Sequence, residues 1–358
     1  MTNGLKQRLL LRCGFDLVVE LPTVYSISSA ENFAEGAIKL LDCFNDVTLS
    51  FGSEVGSLST LNEFADILYN EPKEYLTILS HELDKGLSYP KARENAILFY
   101  LNDIRKYSNI LSTPNNILAI EYLKAIKKLK SKIMPITIKR YGSEYNSLDI
   151  NNKFASATAI RNLIKDGNTN IETLLPKSSF DILNENIKYG KALNGIAVFE
   201  KEILYTLRKM SIEEIADIQD VSEGLENAIK QAANSCNNLE DLINSIKSKR
   251  YTYSRIQRIL LYCLLNITKK DIKDAYKVKP YIRVLGVSNR GKILLSHISN
   301  VAPKVPVITS VKKFIDTNNN RVLRNMINKD ILASNIYTLG YEYDSKANLD
   351  YTKKLIIN

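Results

Sequence analysis

The stretch Ala155-Ser156-Ala157-Thr158-Ala159-Ile160-Arg161 has the pattern of a helix start with hydroxyl groups in its first turn. Ser156 is a favourable N-cap, because its side-chain oxygen can accept first-turn amide hydrogens, and Gly167 supplies a stop. The exposed amides, the Thr158 hydroxyl and the Arg161 guanidinium are groups that bind a phosphate chain. The same residues are also typical of an ordinary capped helix with a surface arginine.

Upstream of this helix, three short runs rich in β-branched residues predict strands, at residues 15–21, 47–51 and 133–138. An amphipathic helix over residues 30–41 separates the first two. This order predicts a βαβ unit and an α/β fold with a doubly wound parallel sheet, in which ligands bind at the carboxyl ends of the strands. Gly52 follows the second strand and Arg140 the third. Asn115 opens a helix, either as a cap or as an amide offered to a base or ribose.

Composition limits the functional classes. The chain has 358 residues, enough for two domains, and its 49 Lys and Arg against 39 Asp and Glu leave a net charge of +10. That surplus favours a polyanionic partner, although a Lys-rich and Asn-rich proteome has the same effect. No apolar run approaches the roughly 20 residues that span a bilayer, and the start does not resemble a signal peptide, so we expect a cytoplasmic protein without membrane contact. The four scattered cysteines and two histidines, His81 and His297, argue against a zinc framework or a histidine triad.

From residue 172 onward the pattern is mainly helical, and strands at residues 281–287 and 305–309 predict a small α/β appendage. Residues 247–258 contain five cations, two tyrosines and no acid. This composition suits RNA phosphates and stacked bases, or the solvated face of a helix. The candidate RNA-binding residues are Lys247, Lys249, Arg250, Tyr251, Arg255 and Arg258. A second basic run at residues 124–132 is interpreted as a solvated helix face.

Several short motifs occur along the chain in the same order as in a known protein family. They are Phe51-Gly52-Ser53-Glu54, Gly86-Leu87-Ser88-Tyr89-Pro90, Pro114-Asn115-Asn116-Ile117-Leu118, Arg140 followed by the stretch at Ser156, Lys249-Arg250-Tyr251-Thr252, and Tyr281-Ile282-Arg283-Val284-Leu285-Gly286. The sequence resembles the bacterial tRNA(Met) cytidine acetate ligase family over nearly its whole length. The resemblance implies a nucleotidyltransferase-like fold that uses ATP and acetate to acetylate N4 of the wobble cytidine of elongator tRNA(Met).

The resemblance also implies roles for particular residues. Gly52, Asn115 and Arg140 match ATP contacts, and the turn with Ser156, Thr158 and Arg161 matches the phosphate-binding helix start of the wider superfamily. Mg²⁺ is expected as a phosphate counter-ion, but no metal ligand and no catalytic base can be named. Residues 1–168 are then an ATP-binding domain and residues 169–358 a mainly helical candidate tRNA-binding domain.

One departure from the family pattern concerns its first strand and His-x-Gly-His loop, which have no counterpart in this sequence. The interpretation is a fragment whose parallel sheet lacks its first strand and whose ATP-binding domain is incomplete. We therefore expect the chain as written to make little or no acetyl-adenylate. The alternatives are a catalytically inactive tRNA-binding fragment or paralogue, and a small-molecule adenylyltransferase without an RNA partner.

Overall fold

The computed structural model describes residues 3–103, 107–140, 155–167, 171–191, 195–222, 224–248, 250–352 and 354–357. The chain divides into two compact units. Unit 1 comprises residues 1–27, 157–247 and 251–358, and unit 2 comprises residues 28–156 and 248–250. This division differs from the predicted boundary at residue 168, because it falls after residue 156 and groups the first 27 residues with the C-terminal half. None of the helices in the described ranges is long and apolar enough to cross a membrane.

Unit 1 begins with three short elements, which are α1 (Asn3–Arg12), β1 (Leu17–Glu20) and α2 (Thr23–Ser26). Tyr25 in α2 is fully buried, and its hydroxyl donates to the carbonyl oxygen of Ala275 at 2.8 Å. This contact joins the first residues of the chain to the C-terminal part of the same unit.

Unit 2 is built on two parallel strands, β2 (Thr48–Ser53) and β3 (Met134–Lys139). The predicted α/β fold with a parallel sheet is confirmed, and this sheet has two strands in the described residues. Its helices are α3 (Ala30–Leu41), α4 (Leu58–Asn70), α5 (Lys73–Asp84), α6 (Tyr89–Leu101) and α7 (Pro114–Leu129). Serine side chains cap α3 and α4 by accepting first-turn amide hydrogens. One apolar cluster joins α3 and α7 to the sheet, and a second fills the space among α4, α5, α6 and α7.

The remainder of unit 1 is mainly helical, as predicted, and ends in the α/β appendage. Its helices are α8 (Ala157–Lys165), α9 (Lys177–Lys188), α10 (Glu200–Lys209), α11 (Ile212–Asp217), α12 (Leu225–Ser235), α13 (Leu239–Ile246), α14 (Tyr253–Leu265), α15 (Lys269–Ala275), α16 (Asn289–Val301), α17 (Val311–Thr317), α18 (Arg321–Leu339) and α19 (Leu349–Thr352). Its later strands are β4 (Ile282–Val287), β5 (Val307–Ile308) and β6 (Ile356–Ile357). A continuous apolar cluster extends from α2 through α10 to α18.

The partner of β1 corrects the sequence prediction. The strand exists, but it pairs antiparallel with β4 of unit 1, and does not form a βαβ unit with β2. All six residues of β4 are buried, so its backbone needs hydrogen-bonding partners on both edges. β1 covers one edge, while β5 and β6 pair in parallel with opposite ends of β4. A short apolar run indicates burial in a sheet, but it carries no information about which strand lies beside it.

Buried charges connect β1, β4 and α19. The Arg283 guanidinium lies 2.7 Å from the Glu20 carboxylate and 2.6 Å from the Asp350 carboxylate. Burial lowers the pKa of Arg283, but the adjacent carboxylates raise it by more, so its net pKa is above the ordinary value. Nearby, the buried Asp330 accepts from the backbone amide of Thr23 at 2.7 Å and from the Tyr281 hydroxyl. These contacts hold the N-terminal segment against the appendage.

Candidate functional site

Gly52 and Arg140 lie together at the carboxyl ends of β2 and β3, as the strand pattern predicts. The backbone amide of Arg140 donates to the carbonyl oxygen of Ser53 at 2.9 Å. A Cβ atom at Gly52 would lie 3.2 Å from Cγ of Arg140, so glycine leaves room for the arginine stem beside the strand. Arg140 itself is exposed and therefore accessible to an anionic ligand.

The turn that leaves β2 is held closely against β3. Ser53 is fully buried, and its hydroxyl shares a 2.7 Å hydrogen bond with Thr137 and accepts from the amide of Gly56 at 3.0 Å. Gly56 has a φ of +65°, and a Cβ atom there would lie 2.5 Å from Cβ of Lys139. Only glycine fits this position without moving β3.

The Glu54 carboxylate occupies the start of α7. Its Oε1 accepts from the Asn115 side-chain Nδ2 at 2.6 Å and from the Asn115 amide at 3.3 Å, and its Oε2 accepts from the Asn116 amide at 2.8 Å. A carboxylate at this place satisfies first-turn amides and interacts favourably with the helix dipole. Asn115 thus lies one residue inside the helix with its side chain held by Glu54, so it is not the cap of α7. An amide offered to a base or ribose stays a prediction.

Asn116 completes the connection in the opposite direction. It is 3% exposed, and its Oδ1 accepts from the amides of Glu54 and Val55 at 3.0 and 3.1 Å. Its Nδ2 donates to the Thr113 hydroxyl at 2.7 Å. We call Glu54, Asn115 and Asn116 the Glu54 clamp. Glu54 and Asn116 belong to the motifs that carry the resemblance, but their sequence pattern assigns them no role. The local signal is a carboxylate just after a strand-end glycine, together with an Asn pair after a helix-opening proline.

The helix α8 begins at Ala157, so Ser156 occupies the predicted N-cap position. Within the helix, Arg161 donates from Nη2 to the Thr158 hydroxyl at 3.1 Å. Ser156 is the last residue of that part of unit 2, whereas Thr158 and Arg161 belong to unit 1. The polar loop at residues 142–153 lies outside the described residues. The structure thus groups Gly52, Asn115 and Arg140 through residues 52–54, and joins Thr158 to Arg161 separately.

The candidate RNA-binding residues fall into two groups. Arg255 donates to the carbonyl oxygen of Asp220 at 2.8 Å and lies 5.1 Å from the ring of Tyr251. Arg258 forms a 3.0 Å ion pair with the Asp220 carboxylate. Tyr251, Arg255 and Arg258 therefore also stabilise the turn at Asp220.

The second group of candidates lies just before α14. Lys247 and Arg250 are exposed, and Lys249 lies outside the described residues. An RNA-binding role for either group stays a prediction. The basic run on α7 matches the solvated-face interpretation in part, because Lys127 pairs with Asp66 and Lys128 with Glu35, each at 2.8 Å.

The acidic side chains of the described residues do not gather into a metal-binding cluster. Across the described part of the chain, no group of three or more His, Cys, Asp or Glu side chains could hold a metal ion. Both oxygens of Glu54 already accept hydrogen bonds from the start of α7. Mg²⁺ often binds through substrate phosphates with few protein ligands, so its expected place as a phosphate counter-ion stays a prediction.

Comparison with known proteins defines the class first. Residues 6–352 match the model of the HIGH Nucleotidyl Transferase family, in agreement with the parallel strands of unit 2 and the polar groups at their carboxyl ends. The crystal structure of Thermotoga maritima TmcAL (apo, form I) has a TM-score of 0.90 at 31% identity, covering 99% of this chain and 87% of that one. The same protein bound with alpha-thio ATP has a TM-score of 0.87 at 30% identity, covering 99% and 86%.

Curated relatives define the family more narrowly. The tRNA(Met) cytidine acetate ligase of Thermoanaerobacter sp. (strain X514) is 43% identical over 353 residues, which are 98% of this chain and 86% of the relative. That of Caldanaerobacter subterraneus subsp. tengcongensis is 44% identical over 348 residues, covering 97% and 85%. The chain therefore belongs to the tRNA(Met) cytidine acetate ligase family, which confirms the resemblance seen in the sequence.

The clamp predicts unequal effects for its two asparagines. Asn116→Ala removes the acceptor for two backbone amides, so we expect the free energy of unfolding to fall by about 2 kcal/mol or more. Asn115→Ala removes one half-buried side-chain bond and serves as the matched control, with an expected loss below about 1 kcal/mol. Urea denaturation of both variants measures the difference. Equal losses would show that Asn116 does not hold the turn.

Proposed function

We propose that this protein is an ATP-dependent ligase that activates acetate and transfers the acetyl group to N4 of the wobble cytidine of elongator tRNA(Met). The observation that carries the proposal is the grouping of Gly52, Arg140 and the Glu54 clamp at the carboxyl ends of two parallel strands. Nucleotides bind at this edge in sheets of this type. The names of the relatives and the ATP analogue bound in the solved neighbour support the choice of substrates.

In the first proposed step, an acetate oxygen attacks the α-phosphorus of ATP. The bond from that phosphorus to the bridging oxygen of the β-phosphate breaks, giving acetyl-adenylate and pyrophosphate. The protein's part is to position the reactants and to neutralise charge. We assign this part to the proposed ATP-binding residues Gly52, Asn115, Arg140, Ser156, Thr158 and Arg161, with the two arginines holding phosphate oxygens.

In the second proposed step, N4 of the cytidine attacks the carbonyl carbon of acetyl-adenylate. The bond between that carbon and the phosphate oxygen breaks, AMP leaves with the electron pair, and N4 loses a proton. We assign recognition of the RNA backbone to the basic segment of residues 247–258. Cations there can bind phosphates, and Tyr251 and Tyr253 offer rings for stacking.

The activity itself is tested on the purified protein. Acetate-dependent release of AMP together with N4-acetylcytidine in elongator tRNA(Met) is the expected result. ATP–pyrophosphate exchange without acetyl transfer to RNA would instead identify a small-molecule adenylyltransferase. Binding of tRNA with neither reaction would identify an inactive RNA-binding protein. The amount of acetyl-adenylate formed in the same assay tests the expectation that these 358 residues make little of it.

Removal of either proposed phosphate-binding arginine should impair ATP use. For Arg140→Ala and Arg161→Ala we expect acetate-dependent ATP–pyrophosphate exchange to fall about 100-fold, since one donor lost at a transition-state charge has that effect. Binding of tRNA should change less than about twofold. Arg290→Ala is the charge-matched control, because that side chain is 82% exposed and lies outside the proposed site. Exchange at the parent rate in both variants would make these arginines structural.

Charge reversal should identify the RNA-binding segment. We expect Lys249→Glu combined with Arg250→Glu to weaken tRNA binding and to lower the slope of log K against log salt by about 1 to 2, because fewer counter-ions are released. Filter binding over a salt series measures the slope. Lys127→Glu combined with Lys128→Glu makes the same charge change on α7 and should leave the slope unchanged. The segment would be excluded from the RNA site by an unaltered slope in the first variant.

A further inference from the structure

The geometry points to Glu54 as a positioning residue that turns the Asn115 side-chain amide so that its oxygen, and not its nitrogen, meets a bound nucleotide. This inference rests on the proposed function, since it takes ATP to bind at the carboxyl ends of β2 and β3. It assigns Asn115 a ligand group of one kind, which is a hydrogen-bond donor of the nucleoside. That donor is either the exocyclic amino group of adenine or a ribose hydroxyl.

The orientation of Asn115 follows from the chemistry of its neighbour. An ionised carboxylate only accepts hydrogen bonds, so the amide group 2.6 Å from Oε1 of Glu54 must be Nδ2. The opposite orientation would place Oδ1 against a negative charge. No donor from the described part of the chain contacts Oδ1 of Asn115, and the residue is half-buried, so this oxygen remains an acceptor that a ligand can reach.

The same arrangement selects against phosphate at Asn115. A phosphate oxygen placed there would face an acceptor and, behind it, the negative charge of Glu54. Arg140 packs beside Gly52, two residues before Glu54 in the chain, and offers the cation that a phosphate requires. Asn115 and Arg140 therefore bind different parts of the nucleotide. Asn115 contacts the uncharged nucleoside, and Arg140 contacts the phosphates.

Glu54 cannot easily release Asn115, because its own position is fixed from both sides. Its carboxylate accepts from the first-turn amides of α7, and its backbone amide donates to the buried side chain of Asn116. A side chain held in this way is already oriented before the ligand arrives, so binding costs less conformational entropy. Discrimination between nucleotides should therefore depend on Glu54 even though Glu54 makes no contact with the nucleotide.

The test compares the affinities of ATP and three analogues, each lacking one donor. These are purine riboside triphosphate, 2′-deoxy-ATP and 3′-deoxy-ATP, and calorimetry on the protein measures each dissociation constant. We expect the wild-type protein to bind one analogue about five- to tenfold more weakly than ATP, which identifies the donor. In Asn115→Ala this ratio should fall to about 1. In Glu54→Ala it should also fall to about 1, with no further change in the double variant.

Two further variants separate positioning from folding. Glu54→Gln keeps an acceptor for Asn115 but turns an amino group toward α7, so an intermediate ratio is expected, and it serves if Glu54→Ala does not fold. Glu214→Ala removes another carboxylate cap, the one that accepts from the Ser211 amide at 2.8 Å, and should leave the ratio unchanged.

Three outcomes would overturn the inference. They are an analogue ratio near 1 in the wild-type protein, a full ratio in Asn115→Ala, and a full ratio in Glu54→Ala. If the wild-type protein binds ATP but one of these three outcomes is found, only the proposed contact between Asn115 and the nucleoside fails. If it binds no ATP, the proposed function fails as well. Equal loss of affinity for ATP and for the discriminated analogue in Glu54→Ala would assign Glu54 a purely structural role.

Discussion

The buried amide of Asn116 is the interaction on which unit 2 depends. As the chain turns out of β2, the backbone amides of Glu54 and Val55 lose the regular pairing of the strand and need new acceptors. A single Oδ1 atom supplies both bonds, and its side chain belongs to the first turn of α7. The strand end and the helix start are therefore one rigid piece, and the residues proposed to bind ATP are attached to that piece.

Unit 1 joins its elements through buried charges, whereas unit 2 joins a strand to a helix through a buried side-chain amide. Arg283 of β4 contacts carboxylates from β1 and α19, with all three side chains largely withdrawn from water. Removing charges from water is costly, so a cluster of this kind is weak support for stability by itself. Losing one partner is more damaging, because the remaining charge stays buried without compensation. Each of the three elements therefore depends on the other two to keep its charge paired.

Local patterns were sufficient to predict most elements but not their partners. The β-branched runs at 47–51 and 133–138 became the parallel pair, and the helix after Ser156 begins where its hydroxyl residues predicted. The run at 15–21 also became a strand, yet its partner lies in the C-terminal appendage, because the alternation of residue types is the same for any buried neighbour. No local pattern shows whether β1 pairs with β2 or with β4. The choice is made by β4, whose buried edge needs a hydrogen-bonding partner.

Site residues show the same distinction between local and distant information. Gly52 and Arg140 could be placed from the rule that ligands meet the carboxyl ends of parallel strands. The role of Glu54 could not, since it depends on the side chain reaching α7 about sixty residues further along the chain. Arg255 and Arg258 are RNA-binding candidates because of their charge, and the turn at Asp220 that they hold is a tertiary contact that composition does not reveal.

The discontinuity of unit 1 sets an order of events during synthesis. Asp16 accepts hydrogen bonds from Ser288, 272 positions later, while all of the helices and strands of unit 2 are encoded between them. At about 5–20 residues per second, roughly 14 to 54 seconds separate the emergence of these two residues from the ribosome. Unit 2 has time to fold in that interval, whereas β1 has to wait with its apolar side chains and backbone groups unpaired. A strand that is made before unit 2 is thus secured only after unit 2 has been made.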